Sequence, residues 1–217
     1  MTDQIHAIIW DLDGVIIDSA EEHKRSWYRV AEEDGFAFSD QQFYATFGMR
    51  NDAIIPLLWG VTSKAQVQDI ADRKEAYFRE FIHDTTAPLP GAIELLSALK
   101  GAGYKQALAS STPIKNIEAI SNALGLKTYL TAFVSGETVP HGKPAPDVFL
   151  KAAAELGVDP AHGLVIEDAV AGIQAAQTGG FYCIAVAGER DLPGLNVADL
   201  IVKDLTQVSA EKIRALA

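Results

Sequence analysis

Asp11-Leu12-Asp13-Gly14 places two carboxylates directly after the apolar run Ala7-Ile8-Ile9-Trp10. Three more clusters come after later apolar runs: Ser110-Ser111-Thr112, Glu167-Asp168 and, a short way beyond its run, Gly142-Lys143-Pro144. Carboxylates crowded into one small site repel each other and raise each other's pKa, and a hard dication relieves that repulsion. Mg²⁺ prefers oxygen ligands, keeps waters, and usually takes a few carboxylates plus substrate phosphate. A carboxylate is a competent nucleophile for forming an aspartyl-phosphate. Phosphoryl transfer otherwise depends mainly on positioning and charge neutralisation. Lys143 would supply fixed positive charge, and Ser110 with nearby N–H groups would bind the remaining phosphoryl oxygens.

Such groups meet only if their segments lie side by side in one sheet. After Gly91 the chain alternates as a parallel sheet requires. Helix Ala92–Lys100 leads to strand Gln106–Ala109, and helix Ile114–Leu124 to strand Ala132–Val134. Helix Ala145–Leu156 leads to strand Gly163–Ile166, and helix Val170–Gln177 to strand Tyr182–Val186. Ala7-Ile8-Ile9-Trp10 is apolar at consecutive positions, like a strand covered on both faces. From Ala20 to about His83 the pattern is of amphipathic helices, including Glu21 to Glu33, stopped by Gly35, and Lys64 to Ile82. Thr85-Thr86-Ala87-Pro88-Leu89-Pro90-Gly91 reads as a linker. The expected fold is α/β: a Rossmann-like parallel-sheet core over residues 1–17 and 89–217, interrupted by an all-α cap over residues 18–88. In open parallel sheets ligands bind beyond the carboxyl ends of the strands.

Composition sets the outer bounds. Over 217 residues, 18 basic against 29 acidic side chains give a net charge of −11. That argues against nucleic acid or an anionic membrane as the main partner. A small anionic substrate remains compatible, because a metal and a few cations can reverse the field in one pocket. The single cysteine, Cys183, excludes an internal disulfide and lies in an apolar run, as a buried structural thiol does. The N-terminus shows no signal-peptide pattern and no apolar run is long enough to span a bilayer, so a cytoplasmic location is the default expectation.

Asp11-Leu12-Asp13-Gly14-Val15, Ser110, Gly142-Lys143-Pro144-Ala145-Pro146-Asp147 and Glu167-Asp168 stand in the order of four known motifs. On them the chain resembles the haloacid dehalogenase-like superfamily, over its whole length and including a helical cap after the first motif. It looks like the branch containing β-phosphoglucomutase and phosphoglycolate phosphatase. The resemblance implies that Asp11 attacks phosphorus and that Asp13 acts as general acid, then as base. It implies Mg²⁺ held by the Asp11 carboxylate, the Asp13 backbone carbonyl and Asp168, with Glu167 close or coordinating. Ser110 would bind the phosphoryl group, with Ser111 beside it, and Lys143 would neutralise charge. True dehalogenases lack the second aspartate, so Asp13 implies a phosphatase or mutase. The implied partner is a small phosphorylated metabolite, with the chain a monomer or weak homodimer.

Each feature also has a plainer explanation. Asp-Gly commonly ends strands, Ser110 to Thr112 could cap the next helix, Lys143 could be a solvated loop lysine, and an acidic pair suits a helix N-terminus. Their joint occurrence outweighs these. In the insert, His23 would help hand off the proton near Asp13, and Trp27, four residues on, reads as cap packing. Arg50 and Lys74 resemble positions that grip a distal phosphate or carboxylate, with a solvated surface as the equal alternative. His6, His83, His141 and His162 read as structural or exposed, and Trp10 and Trp59 as core. The mutase pattern has a basic residue where this chain has Phe47, and a polar run where it has Thr112-Pro113, which favours a phosphatase.

Overall fold

The computed structural model describes residues 4–82, 86–190 and 193–217; His83 and Thr85 lie outside them. Strand β1 (Ala7–Trp10) is buried at every position. Four helices follow it: α1 (Ala20–Asp34), α2 (Asp40–Thr46), α3 (Asn51–Trp59) and α4 (Lys64–Ile82). Helix α1 ends where Gly35 takes the left-handed conformation, φ 71°, and returns its N–H to the last carbonyls. Trp27, Val30, Phe43, Ile54, Ile55 and Ile70 form a separate apolar cluster among these helices. Phe78 and Ile82, on the last turns of α4, instead join the cluster beneath the sheet. The chain leaves and re-enters the core side by side: Ile17 bridges Pro88, and the Leu89 N–H donates to Ile16 O at 2.8 Å.

The alternating half then runs α5 (Ala92–Gly101), β2 (Lys105–Ser110), α6 (Ile114–Leu124), β3 (Ala132–Ser135), α7 (Asp147–Leu156), β4 (Gly163–Glu167), α8 (Val170–Thr178) and β5 (Tyr182–Val186). Two short elements, β6 (Leu200–Val202) and α9 (Ala210–Arg214), complete it. The sheet order is β3-β2-β1-β4-β5-β6, with all five pairings parallel. Successive side chains of a strand point to opposite faces. Ile8 and Trp10 therefore join Leu108, Ile166 and Ile184 on the face covered by α5 and α6. Ala7 and Ile9 join Ala107, Val165 and Cys183 on the face covered by α7 and α8. Fully burying one such large side chain is worth about 1.5–3 kcal/mol. Burial also pushes the Cys183 thiol well above its usual pKa, consistent with an inert structural thiol.

Three expectations need adjustment. Helix α7 begins at Asp147, not Ala145, because Pro144 and Pro146 remove N–H donors from the approach. Strand β6 and helix α9 were not expected; β6 lies at the sheet edge with Ile201 46% exposed, and its apolar run Leu200-Ile201-Val202 is too short to stand out as a strand. Trp59 is not core: it is half-buried and stacks on Phe36 at 4.7 Å between ring centroids. Among the described residues, no helix is long and apolar enough to cross a membrane.

Candidate active site

Strand order reverses about β1, which lies between β2 and β4, so Asp11, Ser110 and Glu167 emerge from neighbouring carboxyl ends. This is the crevice where open parallel sheets bind ligands. The Asp11 N–H donates to Ile166 O at 3.0 Å, fixing the start of the loop. Lys143 reaches in from the segment before α7. Its Nζ donates to Asp11 Oδ1 at 2.7 Å and to Glu167 Oε1 at 2.5 Å. Glu167 Oε2 accepts the N–H groups of Asp168 and Ala169, both at 2.6 Å, at the entry to α8. Two glycines make room. A Cβ on Gly172 would lie 1.7 Å from Glu167 Oε1, and one on Gly14, whose φ is +79°, would lie 2.2 Å from Asp168 Oδ2.

Asp11, Glu167 and Asp168 are all buried and can bring ligand oxygens within 4.8 Å of one another. Burial raises the Asp11 carboxyl; Lys143 opposes this, Glu167 and Asp13 add to it, and the group ends well above its usual pKa. Burial and Glu167 push Asp168 up to about 7 against the pull of Arg190 and Lys143. Asp168 Oδ2 is buried without a hydrogen-bond partner. Arg190 Nη2 lies 3.0 Å from it as an ion pair, out of line for a hydrogen bond. A donor set of hard oxygens carrying excess negative charge and one unpartnered buried oxygen fits a divalent cation.

The Asp13 carboxylate is not part of this cluster. Ser19 Oγ donates to Oδ1 and Thr112 Oγ1 to Oδ2, both at 2.5 Å, and His23 Nε2 lies 3.3 Å from Oδ1. Burial opposes ionisation of Asp13, but His23 and the two hydroxyls outweigh it and hold the carboxyl well below the usual range. A metal could therefore use only the Asp13 backbone here, as the resemblance implies. Ser19 occupies the N-cap position of α1, yet its hydroxyl serves Asp13 and caps nothing.

The insert residues depart further from expectation. Lys74 is only 2% exposed, which rules out a solvated surface position. Its Nζ lies 2.7 Å from His23 Nδ1 and donates to Glu75 Oε1 at 2.8 Å. An ammonium has donors only, so Nδ1 must accept and the ring proton sits on Nε2, facing Asp13. Glu75 also accepts from Asn51 Nδ2 at 2.8 Å and from Asn116 Nδ2, on α6, at 2.6 Å. Arg50 is half-buried and does not line the cavity between helices and sheet. Its Nη1 donates to Gly136 O and Val139 O, both at 3.0 Å, and its other nitrogens pair with Asp52. Ser111 Oγ donates to Gly48 O at 2.8 Å, again across the seam between helices and sheet. Ser110 is buried and accepts the Thr112 N–H at 3.2 Å. His141 pairs with Asp147 on the surface, and the rings of His6 and His162 lie 5.2 Å apart far from the site.

The sequence did not single out Ser19, Glu75, Asn116 or Arg190, and it grouped Thr112 with the hydroxyls after β2 without giving it a partner. Thr112 could have been found from its place two residues after Ser110; the others left no local signal. Asp11, Asp13, His23, Lys74, Ser110, Thr112, Lys143 and Asp168 surround a cavity of about 50 Å³. Pockets for organic ligands usually span about 300–1,000 Å³, so this cavity is small by comparison.

A parallel α/β core, a buried aspartate bonded to a lysine, and an acidic cluster beside it define a phosphoryl-transfer enzyme. The family model for haloacid dehalogenase-like hydrolases matches residues 5–180, and the chain belongs to that family. It is 35% identical over 213 residues to a β-phosphoglucomutase of Bacillus subtilis, covering 94% of this chain and 92% of the relative. It is 34% identical over 206 residues to hexitol phosphatase A of Escherichia coli, covering 94% and 93%. The crystal structure of a β-phosphoglucomutase from Clostridium difficile superposes with a TM-score of 0.89 at 27% identity, covering 98% and 97%.

The raised Asp168 carboxyl gives a pH test. A carboxyl near pH 7 when folded and about 3.9 when unfolded stabilises the fold fully below about pH 3.9, and that contribution is lost as pH rises through 7. Asp13, shifted the other way, matters only below the usual carboxylate range. In excess chelator the melting temperature should therefore carry an Asp168 penalty at pH 8 that is smaller at pH 5.5. Saturating Mg²⁺ should raise it more at pH 8. An equal rise at both pH values would contradict this assignment.

Proposed function

We propose that the chain is a Mg²⁺-dependent phosphatase that hydrolyses a small sugar or polyol phosphate through an aspartyl-phosphate on Asp11. The observation that carries this reading is the buried Asp11 carboxylate bonded to Lys143 at 2.7 Å, with a second aspartate two residues on. Asp11 attacks phosphorus while the leaving oxygen takes a proton from Asp13. Asp13 then accepts a proton from the water that hydrolyses the phosphoenzyme. Ser110 and nearby N–H groups hold phosphoryl oxygens. Mg²⁺ held by Asp11, Asp168 and the Asp13 carbonyl, with Glu167 beside it, would supply charge neutralisation. In the conformation described, Ser19 and Thr112 hold Asp13 as an ionised acceptor, the state of a base. Acting as an acid requires Asp13 first to pick up a proton, after which either hydroxyl can rotate to accept from it.

The β-phosphoglucomutase relatives support a second reading, return of the phosphoryl group to a sugar hydroxyl. A mutase must hold a second phosphoryl group on the distal side. Here Lys74 is engaged by His23 and Glu75, and Arg50 by two carbonyls and Asp52. Phe47 lines the cavity where the mutase pattern has a basic residue. These features favour hydrolysis. Phosphate release should be measured on sugar phosphates, polyol phosphates, phosphoglycolate and nucleotides with Mg²⁺, alongside conversion of β-glucose 1-phosphate to the 6-phosphate. Isomerisation outpacing phosphate release would reverse the assignment.

We treat residues 18–88 as a cap that opens and closes over the site. Opening must break the contacts of Arg50 with Gly136 and Val139, of Ser111 with Gly48, and of Asn116 with Glu75 and Arg79. Arg50→Ala is expected to weaken closure and lower kcat/KM roughly tenfold, the scale of one lost charge-assisted hydrogen bond. The loss should be similar for a sugar phosphate and a small aryl phosphate. A loss confined to the sugar phosphate would restore a direct substrate contact for Arg50.

A further inference from the structure

Arg190 follows β5 and belongs to none of the motifs above. Two backbone carbonyls fix its guanidinium: Nε donates to Ala187 O and Nη2 to Val186 O, each at 3.1 Å. From that anchorage Nη2 stands 3.0 Å from Asp168 Oδ2. The approach is one of charge alone, because Asp168 Oδ2 has no aligned hydrogen-bond donor. The acidic cluster thus has two protein cations with separate tasks. Lys143 is shared by Asp11 and Glu167, and Arg190 faces Asp168. Lys143 is sealed in, at 2% side-chain exposure, whereas Arg190 is 40% exposed. Arg190, Asp168 and Gly14 also line a second cavity of about 280 Å³, which shares Asp168 with the first.

We propose that Arg190 is an internal counter-cation for Asp168, with which a bound dication must share that carboxylate, so that Arg190 sets the metal affinity of the site. The charge count fixes the sign. When all three are ionised, Asp11, Glu167 and Asp168 carry three negative charges against two positive from Lys143 and Arg190. Removing Arg190 leaves the cluster more negative and removes a positive charge that repels an incoming dication. Partial exposure screens the effect, and a gain of roughly tenfold in affinity is expected rather than the far larger value of a dry site. A guanidinium that merely oriented Asp168 would act in the opposite direction, since loss of a supporting contact typically weakens metal binding about 10–100-fold.

The inference rests on Asp168 being a metal ligand, so the experiment carries a control for that. Mg²⁺ is titrated calorimetrically into chelator-stripped wild type, Arg190→Ala, Arg190→Gln, Arg190→Lys and Asp168→Asn. Arg190→Ala and Arg190→Gln should each bind Mg²⁺ about tenfold tighter, more so at low salt, and Arg190→Lys should stay near wild type. Their melting temperatures should rise further on Mg²⁺ addition than the wild type's. Unchanged or weaker affinity in both neutral variants, with Asp168→Asn failing to bind, would overturn the role of Arg190 and leave the metal site standing. Mg²⁺ binding by Asp168→Asn as tight as in wild type would overturn the metal-site assignment and this inference with it.

Discussion

Asp11→Asn is expected to abolish turnover, by roughly five to six orders of magnitude, the scale on which loss of a covalent nucleophile acts. The amide cannot attack phosphorus, so no phosphoenzyme should be trapped by acid quench with any substrate. The fold should survive. Burial and two neighbouring carboxylates already hold Asp11 well above its usual pKa, so a neutral amide relieves repulsion, and Lys143 keeps Glu167 as its partner. The melting temperature in chelator should be unchanged or higher. Asp13→Asn should behave differently. It keeps the nucleophile and loses the proton donor and acceptor, which is worth about 10²–10⁴-fold. An aryl phosphate, whose leaving group needs no proton, should recover most of the phosphorylation step in Asp13→Asn and none in Asp11→Asn. Near-normal turnover by Asp11→Asn would exclude Asp11 as nucleophile.

Lys143→Met should cost both stability and activity. The ammonium is 5% exposed as a residue and lies between two buried carboxylates, which hold it well above its usual pKa against the cost of burial. Removing it strands Asp11 and Glu167, and breaking a buried ion pair from one side typically costs about 3–5 kcal/mol. Urea denaturation in chelator should show that loss, larger at pH 8 than at pH 5.5, because the Asp11 carboxyl is held above its usual pKa and takes up a proton more readily at the lower pH. Mg²⁺ should restore part of the stability, because it supplies positive charge to the same carboxylates. Activity should stay low even then, since charge at Lys143 is also needed opposite the phosphoryl oxygens. Lys143→Arg should not rescue it: the larger planar guanidinium does not fit a closed site built for a compact ammonium. A stability change below about 1 kcal/mol in chelator would show that the pair is not the strongly coupled unit described.

The alternating half of the chain was legible because each of its elements has a one-dimensional cause. Buried strands show as continuous apolar runs, and a glycine or proline marks most ends; α6 and β5 have the bounds their patterns indicate. The core motifs were legible for a related reason. In a parallel sheet every strand ends at the same edge, so residues following the strands converge wherever the strands fall in sequence. Lys143 and Asp11, 132 residues apart, meet for this reason. Strand β6 and helices α2 and α3 were not separable, being short, with Pro56 inside α3 and an exposed Ile201 on β6.

The sequence by itself determined the Asp11–Gly14 loop after the first strand, the acidic pair Glu167-Asp168, Lys143 and the family to which the chain belongs. Only the tertiary structure decided what the helical insert does with its charges. Helical periodicity shows that Lys74, Glu75 and Phe78 lie near one another on α4, but it does not show which surface that face meets. Docking against α1 and α6 places Lys74 on His23 and Glu75 on Asn116, and turns Arg50 to two carbonyls beyond β3. Arg190 is the same case in the core. The carbonyls that aim it at Asp168 belong to the end of a strand, and the side chain they meet lies 22 positions earlier in the chain. Such contacts depend on how rigid elements pack, which no local pattern of residues encodes.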